Sequence, residues 1–318
     1  MVAEHPKISF VIPLYNESEI FTELISRLRK LIDRITDPCE IIFIDDGSKD
    51  NTALLMQELA YADKKYHCIF LSRNFGHQFA VSAGLEFAMG EYIMVLDGDL
   101  QDPPELFFEF YKKLSEGYDV VYGIRKKRKE GVLKRATYYL FYRILKSISA
   151  YSIPLDSGDF AMITKRVAKI IVKMPEQSRF LRGMRSWVGF KQIGIEYERD
   201  ARGAGDSKYS FRQLLKLGSD GVFNFSTFPI KFFTILGVCC MMSSVIYFLY
   251  TLYRKMFYND VPVGFPALLF VIILFGGIQL LSIGVIGEYV QRIFSQVKNR
   301  PLYLISKRVV NGKDVADE

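Results

Sequence analysis

The chain has 318 residues, enough for one large domain or two smaller ones, with 24% charged residues and a formal net charge of +7. Its mean hydropathy of +0.11 is high for a wholly soluble protein, and the apolar weight is concentrated rather than spread. The four cysteines, Cys39, Cys68, Cys239 and Cys240, form no CxxC pair, and His5, His67 and His77 are scattered, which argues against a disulfide framework and a zinc site. No nucleic-acid recognition motif accompanies the positive charge, so attraction to an anionic membrane surface is the better account of it.

The first residues, Met1 to Lys7, lack a signal-peptide pattern, so the N-terminal part is expected in the cytosol. Ile8 to Leu14 is an apolar run, read as a buried strand that ends in Tyr15-Asn16-Glu17. Ser18 is placed to cap a helix carrying Leu24, Ile25, Leu28, Leu31 and Ile32 at helical spacing. Glu40 to Ile44 is a second strand, ending in Asp45-Asp46-Gly47-Ser48, and Asp50 or Asn51 caps the next helix. Cys68 to Leu71 is a third, followed by Arg73-Asn74-Phe75-Gly76 and a helix over Ala80 to Met89. The run Tyr92 to Leu96 delivers Asp97-Gly98-Asp99. Strands alternating with helices predict an α/β, doubly wound, mostly parallel sheet whose strand ends collect the polar residues at one edge.

Two carboxylates one residue apart repel unless a cation lies between them. Hard divalent ions take carboxylate oxygens together with substrate phosphates, so the triplet points to a metal-bridged diphosphate. A polar turn is the bland alternative. No GxGxxG follows the first strand and no GxxxxGK[ST] occurs, which disfavours a dinucleotide oxidoreductase and a P-loop enzyme.

Arg125 to Lys129 is a basic run. After it, residues 133–149 form a helix pattern with Leu133, Leu140, Phe141 and Ile144 on one side and Arg135, Tyr139, Tyr142 and Lys146 on another, which suits a membrane interface. Residues 211–229 repeat the device with Phe211, Leu214, Leu215, Val222 and Phe225. Phe232 to Tyr253 and Val261 to Gly287 carry no charge, and each meets the length of a membrane-spanning helix. The expected division is a cytosolic domain over 1–210, an interface helix over 211–229, a transmembrane hairpin over 230–290 (spans near 230–253 and 263–287) and a cytosolic tail over 291–318. Basic residues before the first span and after the second put both termini in the cytosol, with Arg254 and Lys255 in the connector as a mild contradiction. The small residues Gly276, Gly277, Ser282, Gly284 and Gly287 permit close helix packing and a homo-oligomer, a tetramer among the options.

The ordered motifs Val11-Ile-Pro-Leu-Tyr-Asn-Glu17, Asp45-Asp-Gly-Ser-Lys-Asp50, Ser72-Arg-Asn-Phe-Gly76, Asp97-Gly-Asp-Leu-Gln-Asp-Pro-Pro104, Arg179-Phe-Leu-Arg-Gly183, Arg202 to Tyr209, Gly287-Glu-Tyr289 and Arg300-Pro-Leu-Tyr303 cover nearly the whole chain. Together they resemble the inverting family-2 glycosyltransferases of GT-A fold, and among these the polyprenyl-phosphate glycosyltransferases. The two C-terminal spans look most like the bacterial enzymes that load glucose onto undecaprenyl phosphate. The resemblance implies a Rossmann-like GT-A catalytic domain at the inner (plasma) membrane, UDP-glucose as donor, a polyprenyl phosphate acceptor and Mg²⁺ or Mn²⁺. It implies that Pro13, Tyr15, Glu17 and Asp46 hold base and ribose, and that Asp97, Asp99 and Gln101 arrange the metal. It also implies that Arg202 and Lys208, on a glycine-rich loop, close over the donor. Asp156 and Asp159 would face the acceptor, as general base, as positioning groups or as turn formers. The family pattern often has a basic residue after Phe160; here it is Ala161, which makes Arg125 and Arg179 the candidates for the acceptor phosphate. Other donors (GDP-mannose, UDP-N-acetylhexosamines, UDP-galactose), a processive polysaccharide synthase and a non-catalytic sugar-nucleotide sensor remain open on the sequence.

Overall fold

The structure, a computed structural model, describes residues 5–125, 157–177, 179–198, 228–258 and 264–315. The interface helix expected over 133–149 and all but the last two residues of the one expected over 211–229, and with them Asp156, Arg202 and Lys208, lie outside the described residues.

The first half follows the apolar runs closely. Strand β1 (Ile8–Leu14) is buried along its whole length, as a central strand covered on both faces must be. Helix α1 (Ser18–Ile32) buries the stripe Ile20, Phe21, Leu24, Ile25, Leu28, Leu31 and Ile32, the 3.6-residue period of a helix lying on a sheet. Next come β2 (Cys39–Asp45), α2 (Thr52–Ala62), β3 (Tyr66–Leu71), α3 (His77–Phe87) and β4 (Tyr92–Val95). A 3-10 turn at Pro104–Leu106 leads into α4 (Phe107–Ser115), and β5 (Val120–Arg125) follows. After these stand β6 (Ser157–Thr164), α5 (Lys165–Lys173), α6 (Leu181–Trp187) and β7 (Gln192–Tyr197).

The sheet order is β7-β5-β6-β4-β1-β2-β3. The half β3-β2-β1-β4 is parallel. Strand β6 runs antiparallel between β4 and β5, so the sheet is mixed rather than mostly parallel throughout. The order reverses at β1 and β4, and open α/β sheets bind ligands at the carboxyl ends of strands beside such a reversal. One apolar layer, including Phe10, Leu24, Leu28, Phe43, Phe107 and Phe110, fills one face; a second, including Val11, Ile44, Val81, Leu85 and Ile93, fills the other.

Two glycines let the strand-end loops meet. Gly47 has φ +70°, and a Cβ there would lie 2.5 Å from the Arg73 carbonyl carbon, so the loops after β2 and β3 touch backbone to backbone. A Cβ on Gly98 would lie 2.3 Å from Leu14 Cδ2, so the Asp97–Asp99 loop rests on the end of β1.

Helix α1 begins at Ser18 instead of being capped by it. The Asp50 carboxylate accepts from the Ser18 N–H at 3.1 Å and from the Thr52 N–H at 3.0 Å, serving the first turns of α1 and α2 together. These hydrogen bonds outweigh partial burial and lower the Asp50 pKa from 3.8 to about 2. A depressed carboxylate stabilises the fold above its unfolded value, and that contribution disappears as pH falls through about 2. Asp50→Ala is expected to cost about 1 kcal/mol, as for loss of an exposed helix cap. Chemical denaturation should register that loss at neutral pH and a smaller difference near pH 2; an equal difference at both pH values would contradict the assignment.

The two charge-free stretches form α7 (Phe228–Tyr258) and α8 (Phe265–Val297), which touch each other. Both are long and apolar enough to cross a membrane. Arg254 and Lys255, expected in the connector, lie inside α7. Large apolar side chains stay exposed on both helices, among them Phe248 at 65% and Leu280 at 71%. Exposed apolar surface of this extent requires a non-aqueous partner. At 1.5 Å per residue the helices run to about 46 Å and 50 Å, longer than the hydrocarbon core of about 30 Å.

The segment expected as a tail is part of the sheet. Strands β8 (Ile305–Val310) and β9 (Lys313–Val315) form a hairpin, and β8 pairs antiparallel with β3. Three further contacts fasten the end of α8 to the domain. The Gln177 N–H donates to Gln296 Oε1 at 3.1 Å, the Gln177 side chain donates to the Arg300 carbonyl at 3.0 Å, and the Tyr303 hydroxyl donates to Glu86.

Candidate active site

The site is built on the ends of β1, β2 and β4, the start of α3 and the start of β6. In the antiparallel pair β4–β6, Val95 faces Ala161. Extending that register by two residues sets Asp97 opposite Asp159. The side chain that joins them is His77, at the first position of α3. Its Nε2 lies 3.0 Å from Asp97 Oδ1 and its Nδ1 lies 3.7 Å from Asp159 Oδ2. Beyond Asp159 stands Arg182 of α6, whose Nε donates to Asp159 Oδ1 at 3.0 Å. Asp97, His77, Asp159 and Arg182 therefore alternate in charge across the sheet edge.

Gln78 completes the support. Its amide donates to Asp159 Oδ2 at 2.8 Å and accepts from the Leu181 N–H at 2.8 Å, tying α3, β6 and α6 together. Burial disfavours the charge on Asp159, but Arg182 and His77 more than offset it and hold the carboxyl well below the usual range. Burial also works against the imidazolium of His77, and Asp97 with Asp159 pushes its pKa up to about 9. The same pairing lowers the pKa of Asp97 against its own desolvation.

On the other side of Asp97 lie Pro13, near the end of β1, and Tyr15 and Glu17 just after it. Their loop is joined to the loop after β2: the Asn16 N–H donates to Ser48 Oγ at 3.0 Å, the Glu17 N–H to Thr52 Oγ1 at 2.9 Å, and the Lys49 N–H to Asn16 Oδ1 at 2.7 Å. Asp46 is buried, and its carboxylate accepts from the Phe75 N–H at 2.8 Å and the Gly76 N–H at 2.9 Å. It thus holds the loop that presents His77. A separate concavity of about 390 Å³, lined by Asp45, Ser48, Arg73 and Lys307 among others, opens between β2, α2, β3 and β8, away from the Asp97–Asp159 pair.

Asp99 and Gln101 sit on the loop after β4, where Asp99 Oδ1 accepts from the Gln101 N–H at 3.2 Å. Among the described residues no group of three or more His, Cys, Asp and Glu side chains is arranged to hold a metal. Hard cations draw part of their shell from substrate phosphates and water, so two carboxylates of one loop, Asp97 and Asp99, are chemically suited to a cation that would be shared with a diphosphate.

Both candidate arginines are engaged by groups of the protein itself. Arg179 is buried, and its guanidinium donates to the carbonyls of Ile171 at 2.8 Å and Val172 at 3.2 Å. It caps the last turn of α5, whose terminal carbonyls lack partners within the helix, and is not brought to the Asp97–Asp159 pair. Arg125 ends β5 and is held by Tyr197 and Asp102. A Cβ on Gly158 would lie 2.9 Å from Arg125 Nη2, so the chain beside Asp159 passes close to the guanidinium. The arginine of the Arg179-Phe-Leu-Arg182-Gly183 motif that reaches the site is Arg182.

A parallel half-sheet with an acidic loop at its switch point, an antiparallel strand beside it and the family match that follows define a glycosyltransferase of GT-A arrangement. The family model described as Glycosyl transferase family 2 matches residues 9–171, and the chain belongs to that family. It is 41% identical over 307 residues to the uncharacterized glycosyltransferase YkcC of Bacillus subtilis, covering 96% of this chain and 95% of that protein. It is 38% identical over 302 residues to the uncharacterized glycosyltransferase sll0501 of Synechocystis, covering 94% and 95%. It is 37% identical over 302 residues to the SfII prophage-derived bactoprenol glucosyl transferase of Shigella flexneri, covering 95% and 98%.

Proposed function

We propose that this glycosyltransferase moves glucose from UDP-glucose to undecaprenyl phosphate at the cytosolic membrane face, in one in-line displacement with inversion. The observation that carries the reading is the placement of Asp97 against Asp159 through His77. It sets a donor-diphosphate loop beside the strand that the family resemblance gives to the acceptor. The name of the Shigella flexneri relative supports glucose and a bactoprenol acceptor.

In this reading Pro13, Tyr15 and Glu17 hold the uridine, with Asp46 fixing the loop that closes that side. Asp97, Asp99 and Gln101 would hold a divalent cation, and Arg202 and Lys208 would add positive charge at the donor. When bound, Mg²⁺ or Mn²⁺ would neutralise the charge that grows on the departing UDP. A phosphate oxygen of the lipid bonds to the anomeric carbon as the bond from that carbon to the UDP oxygen breaks, and UDP leaves with the electron pair. A phosphate monoester has a second pKa of about 6, so the attacking oxygen needs no proton removed at neutral pH. Asp159, held ionised by Arg182 and Gln78, is a weak base and serves as an orienting anion for His77 and Arg182. Arg182, beside Asp159, is the guanidinium group proposed to meet the acceptor phosphate.

The membrane geometry supports the same assignment. Helix α8 leads into β8, which pairs with β3 of the domain that precedes α7. That pairing supports a reading in which both ends of the hairpin lie on one side, in keeping with the basic flanks. A polyprenyl tail would stay in the bilayer while its headgroup reaches the sheet edge.

The donor is tested with the purified protein, undecaprenyl phosphate and Mn²⁺, using a panel of radiolabelled nucleotide sugars. Lipid-linked label from UDP-glucose, and much less from UDP-N-acetylglucosamine, UDP-galactose or GDP-mannose, is the expected result. Preferential label from one of the others would overturn the glucose assignment and leave the reaction class standing.

A further inference from the structure

The acidic loop ends in a residue that the reaction does not use. Asp102 is 1% exposed, at the far end of Asp97-Gly98-Asp99-Leu100-Gln101-Asp102. The Tyr197 hydroxyl donates to Asp102 Oδ1, Arg125 Nη2 lies 3.4 Å from Oδ2, and Arg125 Nε donates to the Tyr197 hydroxyl oxygen at 3.2 Å. Arg125 and Tyr197 are register partners in the parallel pair β5–β7. The Tyr197 ring is itself fixed edge-on to Phe160, with centroids 5.5 Å apart.

The loop so anchored is strained. Leu100, between the two metal-side residues Asp99 and Gln101, has φ +57° while its side chain is buried. Such a conformation in a branched residue persists only where the surroundings over-determine it. Gly98 packed on Leu14 fixes one end of the loop, and Asp102 fixes the other. A buried carboxylate is a costly way to fill a core, and an apolar residue of similar volume is often no worse for stability. The charge therefore has a use other than packing.

We propose that Asp102, Tyr197 and Arg125 form a buried clamp that holds Asp97, Asp99 and Gln101 in the geometry needed for the divalent cation. They are positioning residues, and the proposal rests on the donor-and-metal reading above. The clamp also joins the loop to two functional segments by chain connectivity. Tyr197 stands five residues before Arg202 of the glycine-rich loop, and Arg125 stands eight before Leu133 of the basic interface segment.

The test is Tyr197→Phe in the full-length protein, which keeps the ring and deletes one hydroxyl, with Asp102→Asn as a second variant that keeps the shape. Titration calorimetry would follow UDP binding at a series of Mn²⁺ concentrations, with thermal melting as a check on folding. The Mn²⁺ concentration for half-maximal UDP binding should rise by about tenfold in both variants, the usual scale for groups that orient metal ligands. UDP affinity at saturating Mn²⁺ should stay near that of the wild type. An unchanged Mn²⁺ requirement in both variants, with or without a lower melting temperature, would overturn the clamp and leave the site reading intact. Wild-type protein that binds no UDP at any Mn²⁺ concentration would overturn the site reading and the clamp with it.

Discussion

Asp99→Ala should reduce sugar transfer by about three orders of magnitude while leaving the fold intact. The residue lies on a loop, so no core packing is lost with its carboxylate. The loss comes from charge: diphosphate departure builds negative charge that a cation stabilises by several kcal/mol, and each 1.36 kcal/mol is about tenfold in rate. Asp97 would then be the one carboxylate left of the pair, too few to hold the cation, and UDP binding should lose its dependence on Mn²⁺. Steady-state transfer assays and UDP calorimetry with and without chelator check both halves. Near-wild-type turnover in Asp99→Ala would remove Asp99 from the metal set.

Asp159→Asn should slow turnover by about 100-fold, or roughly 2.7 kcal/mol of barrier, with donor KM changed much less. The amide keeps the shape but leaves Arg182 and His77 without their shared anion, and breaking a partly buried pair from one side is costly. The rate profile with pH separates this from base catalysis. An orienting anion already ionised throughout the working range contributes no acid limb near neutral pH, so the variant should show the wild-type profile at a lower level. An acid limb present in the wild type and absent in Asp159→Asn would establish Asp159 as the base.

Much of the fold was legible in the sequence because it is carried by local pattern. The uninterrupted runs at Ile8–Leu14 and Tyr92–Leu96 mark strands buried on both faces, and the structure places strands there. The β8–β9 hairpin was missed because Ile305–Val310 contains Ser306, Lys307 and Arg308. It is an outer strand without a continuous apolar run, and its partner β3 lies more than 230 residues earlier, as the Ser306–Phe70 hydrogen bond illustrates. No local signal encodes such a pairing. The extent of α7 was underestimated because Arg254 and Lys255 read as a loop, whereas charges at a helix end are compatible with continued helix.

The site was legible as a set of loops, and less so as a set of contacts. Asp97 and Asp99 were recognisable from the repulsion between closely spaced acids. His77 was passed over because a lone histidine without ligand spacing carries no signal; only the fold sets it between Asp97 and Asp159. Asp46 was expected at the base; that its carboxylate also accepts from the backbone of Phe75 and Gly76 is a contact no local pattern announces. Arg179 and Arg182 belong to one motif, and the sequence could not tell which faces the site. Placement on α6 decides it: Arg182 reaches Asp159 while Arg179 caps α5.

The most direct test of the account is the identity of the product. Purified protein in detergent would be incubated with undecaprenyl phosphate, UDP-glucose and Mn²⁺, with a chelator control, and the organic extract analysed by mass spectrometry. A single hexose on the lipid phosphate, absent when the chelator is present, is the predicted result. No lipid-linked sugar under any cation, or a polymer in the aqueous phase, would contradict it.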